Sequence, residues 1–295
     1  MLLIFCYIAT AVFAIGFVYR GLSIKMMPMH LRWELAPVPH EAGKAHYGGS
    51  YLEEFEWWTK PREKSLLSEG LYMFKEIVFL KGVWEHNRPL WIFSFPFHFG
   101  LYLLTAMTGA LLLAAFAFPP AERLALLLGT AGYILGAIGT VGLFLKRLLD
   151  PKLKPFATPA SFFNLLVLAA VFVSGAYAVF TTSFTAEMTG FIKAFFSGNT
   201  GMAVSGAIAA HIAAGMFFLL YLPFSYMMHF LAKYFFYHEI RWNDEPMNPA
   251  MEEEVKQLLG QTVTWSAPHL GADGKKNWVD IATSDMPKKE ETKNA

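Results

Sequence analysis

The chain has 295 residues, 55% hydrophobic and 16% charged, with a formal net charge of +1. Soluble domains carry roughly 25% charged residues, and the apolar residues here come in long blocks, so the composition describes an integral membrane protein and nothing in its charge points to nucleic acid. The single cysteine, Cys6, excludes disulfide scaffolds, CxxCH haem attachment and an iron–sulfur cluster built by this chain alone.

The first apolar block, Leu2–Tyr19, has no basic residues before it and no small-residue cleavage pattern. It reads as a retained helix rather than a signal peptide. Residues 25–88 are wetter and contain LSEGLYMFKEIVFLKGVW, which suits an amphipathic helix at the membrane edge or against a partner. The second block runs from about Leu90 to Phe118. Asn87 can cap it, Pro89 suits its first turn, Pro96 is expected to bend it, and Pro119-Pro120 stop it.

The third block, about Ala121–Leu145, has Gly129, Gly132, Gly136, Gly139 and Gly142 on a small-residue face suited to close helix packing. The fourth runs from about Ser161 to Phe180 and the fifth from about Gly201 to Tyr237, with a kink expected at Pro223. The predicted fold is therefore an all-α bundle of five transmembrane helices: span one in 1–24, a partner-docking segment in 25–88 and spans two to five in 89–237. A polar tail follows in 238–295, and its charged end is expected to be disordered without a partner.

Lys and Arg crowd the 25–88 segment and the connection holding Lys146, Arg147, Lys152 and Lys154. The opposite side carries Arg123 and Lys193. The positive-inside rule then puts the N-terminus outside and both long polar segments in the cytoplasm.

Nine histidines are present. His98 and His211 fall inside spans two and five, where a histidine is costly without a partner. One reading is a packing histidine bonded to a neighbouring helix. The other is that imidazoles on facing helices clamp a haem iron from both sides. His229 follows His211 by 18 residues. In a continuous helix that returns to the same face about 27 Å away, so span five could offer one ligand near each side of the membrane. His86 is the natural mate of His229, although its 12-residue step to His98 rotates about 120° and spans only about 18 Å. His30 is the first substitute for it. HEAGKAH, from His40 to His46, lacks zinc-hydrolase spacing.

The run His211-IAAGMFFLLYLPFSYMM-His229, with LPFS at Leu222–Ser225, resembles the last helix of the membrane cytochrome b (gamma) subunit of respiratory nitrate reductase. The resemblance implies a di-haem b core, with His86 and His98 on helix two and His211 and His229 on helix five as ligands. Its antiparallel arrangement pairs His98 with His211 and His86 with His229. The enlarged 25–88 segment is more similar to the DsrM branch of that superfamily, from the DsrMKJOP and heterodisulfide-reductase-like complexes. That branch implies a prokaryotic cytoplasmic membrane, menaquinone or menaquinol as substrate, and a cytoplasmic iron–sulfur partner of the HdrD/DsrK kind. Further membrane and periplasmic redox subunits would join it. His98, Glu122 and Arg123 are the candidates for an outer quinone site, and Arg88, Lys146 and Arg147 for offsetting propionate charge. A nitrate reductase gamma subunit proper and a haemless membrane anchor are the alternatives. A transporter fits poorly, because spans three and four have almost no interior charge.

Overall fold

The computed structural model describes residues 1–27, 50–61, 65–243, 248–264 and 271–284. Its regular structure among these is helical, apart from an isolated antiparallel bridge between Thr262 and Asn277. Five helical segments among the described residues are long and apolar enough to cross a membrane. They are α1 (Leu2–Lys25), α4 (Arg88–Phe116), α5 (Ala121–Leu149), α6 (Pro159–Thr181), and α8 (Gly206–Tyr221) with the short 3₁₀ turn that carries it to Phe224. The protein is thus an all-α, multi-pass chain.

The ends of these helices follow from local chemistry. Asn87 accepts from the Leu90 N–H at 3.1 Å, and Pro89 occupies the first turn of α4. Pro96 lies inside α4 without ending it. Thr158 and Ser161 cap α6 reciprocally, satisfying donors that the first turn leaves open. At the other end of α5, Lys146 and Arg147 lie where the helix dipole favours positive charge. Lys146 bonds Asp150 at 2.8 Å and holds its carboxyl below the usual carboxylate range.

The glycine face of α5 is buried along its length, and α4 lies against it. A methyl group on Gly100 of α4 would stand 2.6 Å from the backbone nitrogen of Gly136, so the two backbones touch. Phe93 and Phe97 of α4 cover Gly142 and Gly139. Phe172 of α6 fills the space over Gly136, and Tyr133 of α5 lies over Gly175 of α6. Such contact matters in lipid, where helix association relies on packing rather than on exclusion of water.

Between α6 and α8, on the stretch that holds Lys193, Phe184–Ser197 form helix α7. It buries Phe184, Phe191 and Ala194. Glu187 on α7 accepts from the backbone N–H of Ser205, the N-cap of α8, at 2.6 Å. The hydroxyl of Tyr7 on α1 donates to the Phe195 carbonyl. The 14-residue length and mixed composition of α7 hid it among the apolar spans.

Before α4, the amphipathic segment resolves into α2 (Leu66–Val78) and α3 (Lys81–His86), joined by a tight turn at Phe79-Leu80. A separate compact unit, residues 55–60 and 244–295, contains α10 (Pro249–Leu259), capped by Asn248, and α11 (Trp278–Thr283). Its small core is Val263 and Ala272 with Ile281 against them. The charged terminus after residue 284, like His30, His40, His46 and His269, lies outside the described residues.

Gly100→Ala should lower the midpoint of thermal unfolding in detergent, at a cost of about 1–3 kcal/mol, because the new methyl meets backbone that cannot move aside. Gly109→Ala, which faces open space, should leave the midpoint unchanged. Equal effects of the two would remove the α4–α5 seam as a determinant of stability.

Candidate functional site

The fifth span does not run on as one helix. It stops at Tyr221, passes through two 3₁₀ turns (Leu222–Phe224 and Tyr226–Met228), and resumes as α9 (His229–Phe235) before a π-helical turn at Phe236–Arg241. Pro223 explains the break, since proline lacks the N–H that the helical ladder needs. Its ring is received by Gly16 of α1, where an added methyl would meet the ring at 2.5 Å. Its carbonyl accepts from Arg20 Nε at 3.0 Å. The five-turn register between His211 and His229 therefore does not hold.

With the helix broken, His229 comes to lie beside His98. The ring centroids are 6.2 Å apart and the planes cross at 81°. His98 Nδ1 lies 2.7 Å from the Ser94 carbonyl. A carbonyl can only accept, so Nδ1 carries the proton and the Nε2 lone pair is left free. His98 is half-buried and His229 exposed, so the pair borders open space rather than packed core.

His211 has a different setting. It is buried, with Nε2 2.7 Å from the Tyr133 hydroxyl and Nδ1 3.1 Å from Ser174 Oγ. Ser174 Oγ in turn donates to the Val171 carbonyl at 3.2 Å. One tautomer satisfies the whole chain: Tyr133 donates to Nε2, Nδ1 donates to Ser174, and Ser174 donates to Val171. Both ring nitrogens are then spent within the protein, as a packing histidine requires. The resemblance pairs His98 with His211 and His86 with His229, whereas the imidazole that lies beside His98 in the structure is that of His229.

His86 ends α3 and is exposed, ahead of the first turn of α4. The three proposed quinone residues are not gathered either. His98 lies about 27 Å along α4 from Phe116, the end of that helix next to Glu122. Glu122 accepts from Thr189 Oγ1 of α7 at 3.3 Å, which gives it a structural tie, and Arg123 is exposed. Of the cations considered for propionates, Arg88 stacks over the Trp84 ring and Lys146 is held by Asp150.

Sequence reasoning missed three groups. Lys233, one turn beyond His229, lies close enough to act electrostatically on both imidazoles of the His98–His229 pair. Tyr221 donates to Asn164 Oδ1 at 2.7 Å, leaving the buried Asn164 Nδ2 with no partner. An apolar groove of about 840 Å³, lined by Phe93, Ile138, Val141, Leu145 and Leu149, opens between α4 and α5 with Lys146 and Asp150 at one end. A single asparagine in the otherwise apolar fourth span gives no periodic signal, which is why Asn164 escaped notice. Among the described residues there is no cluster of three or more His, Cys, Asp or Glu able to hold a metal ion.

Neither protein-family models nor curated proteins match this chain.

Tyr133→Phe should leave His211 Nε2 buried without a donor and destabilise the fold by about 1–3 kcal/mol. A thermal midpoint equal to that of the parent protein would show that the Tyr133–His211 bond carries no net stability.

Proposed function

We propose that the protein is a membrane cytochrome b that carries electrons on a haem b held between His98 and His229. The observation that carries this reading is the 6.2 Å spacing of the two rings. Two imidazoles sharing one iron through nitrogens at about 2 Å have centroids about 6 Å apart. The free Nε2 of His98 and the open space beside His229 favour the same reading. His98 has the Nδ1–carbonyl bond that commonly orients a ligating histidine.

When bound, the haem supplies a one-electron carrier. The chain's own residues do the rest. Ser94 orients the His98 imidazole. Lys233 adds a positive field on that side, and the buried Asn164 Nδ2 is a donor that the protein itself leaves unspent. The α4–α5 groove is apolar enough for an isoprenoid chain, which suits a menaquinone or menaquinol substrate.

The LPFS-His likeness and the excess of Lys and Arg support placing the His98–His229 end in the cytoplasm. There a soluble iron–sulfur subunit of the HdrD/DsrK kind would exchange electrons with it. The N-terminus would then be outside and the C-terminus cytoplasmic. The di-haem core carried by the resemblance is not supported, because His211 is spent on Tyr133 and Ser174 and His86 is exposed. We assign one haem per chain, in a menaquinol-linked respiratory complex of the DsrM type.

The test is a reduced-minus-oxidised spectrum with pyridine haemochrome quantitation on the purified, folded chain. One haem b per polypeptide is expected, lost in His98→Ala and in His229→Ala and kept in His86→Ala and His211→Ala. Two haems, or loss in His211→Ala of a folded protein, would return His211 to the ligand set. No haem in a sample expressed with adequate haem supply would leave a membrane anchor as the function. Gly16→Leu, which drives Pro223 off α1, should lose haem as His229→Ala does, and retention at the parent level would separate the break from the site.

A further inference from the structure

Helix α2 carries apolar side chains on its outer as well as its inner side, where Tyr72 and Met73 pack against Tyr237 and Trp242. Leu67, Leu71 and Phe74 lie on one line of α2 at helical spacing, and all are exposed. Glu76, on the opposite face, is buried. Its carboxylate is fully used: one oxygen bonds Lys233 Nζ at 2.7 Å and the other accepts from the Gly82 N–H at 2.9 Å. Apart from the exposed Lys75, the outward side is apolar, which is stable where the surroundings are not water.

The far end of α2 is fixed at a definite depth. Tyr102 Oη donates to the Ile77 carbonyl at 2.7 Å, and Trp91 Nε1 donates to the Phe79 carbonyl at 2.7 Å. Tyr102 lies 14 positions beyond Arg88, about 21 Å along α4, and its side chain reaches back roughly 6 Å. The Ile77 carbonyl is therefore about 15 Å from the start of α4. A 29-residue helix is about 43 Å long and the hydrocarbon layer about 30 Å thick, so that carbonyl lies some 8 Å inside the apolar layer, while Trp91, about 4.5 Å along α4, holds the Phe79 carbonyl nearer its edge.

The hydrogen bonding has the form that such a depth demands. The last carbonyls of a helix have no partner within it, and in lipid each orphan costs several kcal/mol. Two of those carbonyls, at Ile77 and Phe79, are taken by side chains of the spanning helix α4. The Glu76 carboxylate takes an N–H from the first turn of α3. Leu80, with a φ of 52°, makes the reversal within one residue. The exposed face of α2 also continues into that of α4: Phe74 packs on Phe79 and Trp84 on Trp91, which stacks on Phe95, and Phe95 in turn stacks on Phe99.

We propose that α2–α3 is a re-entrant hairpin whose Leu67–Leu71–Phe74 face is embedded in the acyl chains of the leaflet on the Lys- and Arg-rich side, so that its partner is lipid. This proposal does not depend on haem binding.

The lone cysteine is removed by Cys6→Ala, and single cysteines are introduced as Phe74→Cys and Leu67→Cys. Ile134→Cys on the exposed face of α5 serves as the lipid reference and Glu252→Cys as the aqueous one. Each is labelled with an environment-sensitive fluorophore in the full chain, reconstituted in nanodiscs. Labels at 74 and 67 should lose emission to acyl-chain nitroxide lipids as Ile134→Cys does, and should resist iodide as it does. Quenching of both by iodide to the extent seen for Glu252→Cys would overturn the proposal, as would protection that appears only when a soluble partner is added or when two chains share a disc. Should Phe74→Cys fail to assemble, Leu71→Cys on the same line decides between the same outcomes.

Discussion

Where the chain must give up its helical hydrogen bonds inside a membrane, another part of the chain has to make good the loss. The break at Pro223 is that place here. A glycine on α1 lets the proline ring approach, and an arginine one turn further along supplies a donor to its carbonyl. An arginine at that position would otherwise be costly, so the cation and the orphaned carbonyl offset each other. The geometry around His229 depends on this arrangement. An unbroken helix would return His229 to the face of His211, whereas the two 3₁₀ turns rotate it to meet His98.

This explains what the sequence did and did not reveal. The spans were legible because apolar runs of about 20 residues bounded by Pro, Asn and Lys have few other interpretations. The glycine face of α5 was legible for a similar reason, since its spacing matches one side of a helix. Both features are local and periodic. The pairing of the histidines is neither. It was inferred from an 18-residue spacing that presumes continuity, and Pro223 was read as a bend when it separates two helices. Helix α7 was missed because its 14 residues are too short and too mixed to register as a span.

The two histidine centres differ in a way that bears on function. At His211 every hydrogen-bonding position is filled: a tyrosine and a serine from two neighbouring helices saturate the ring, and Phe184 closes over it. A polar group so satisfied adds specificity to helix packing without offering anything to a ligand. At His98 the ring is oriented by the Ser94 carbonyl on one side and left open on the other, and His229 beside it borders open space. That is the distribution expected of ligands, whose support comes from the chain and whose free lone pairs face outward. Equal residue types thus carry different prospects, decided by how many of their hydrogen bonds the protein keeps for itself.

The same accounting links the histidine pair to the hairpin beside it. Lys233 acts on the imidazoles and is also the partner of Glu76, which holds the turn between α2 and α3. Lys233 therefore belongs to both structures. With Glu76 in place its charge is shared with a carboxylate and the field on the imidazoles is moderated. Without Glu76 the ammonium would stand unpaired among apolar groups, where burial costs more than the pair itself returns. A hairpin seated in lipid keeps water from that ion pair and so preserves the strength of its interaction. The placement of α2–α3 in the membrane, though independent of any cofactor, fixes the electrostatic surroundings in which the His98–His229 pair has to work.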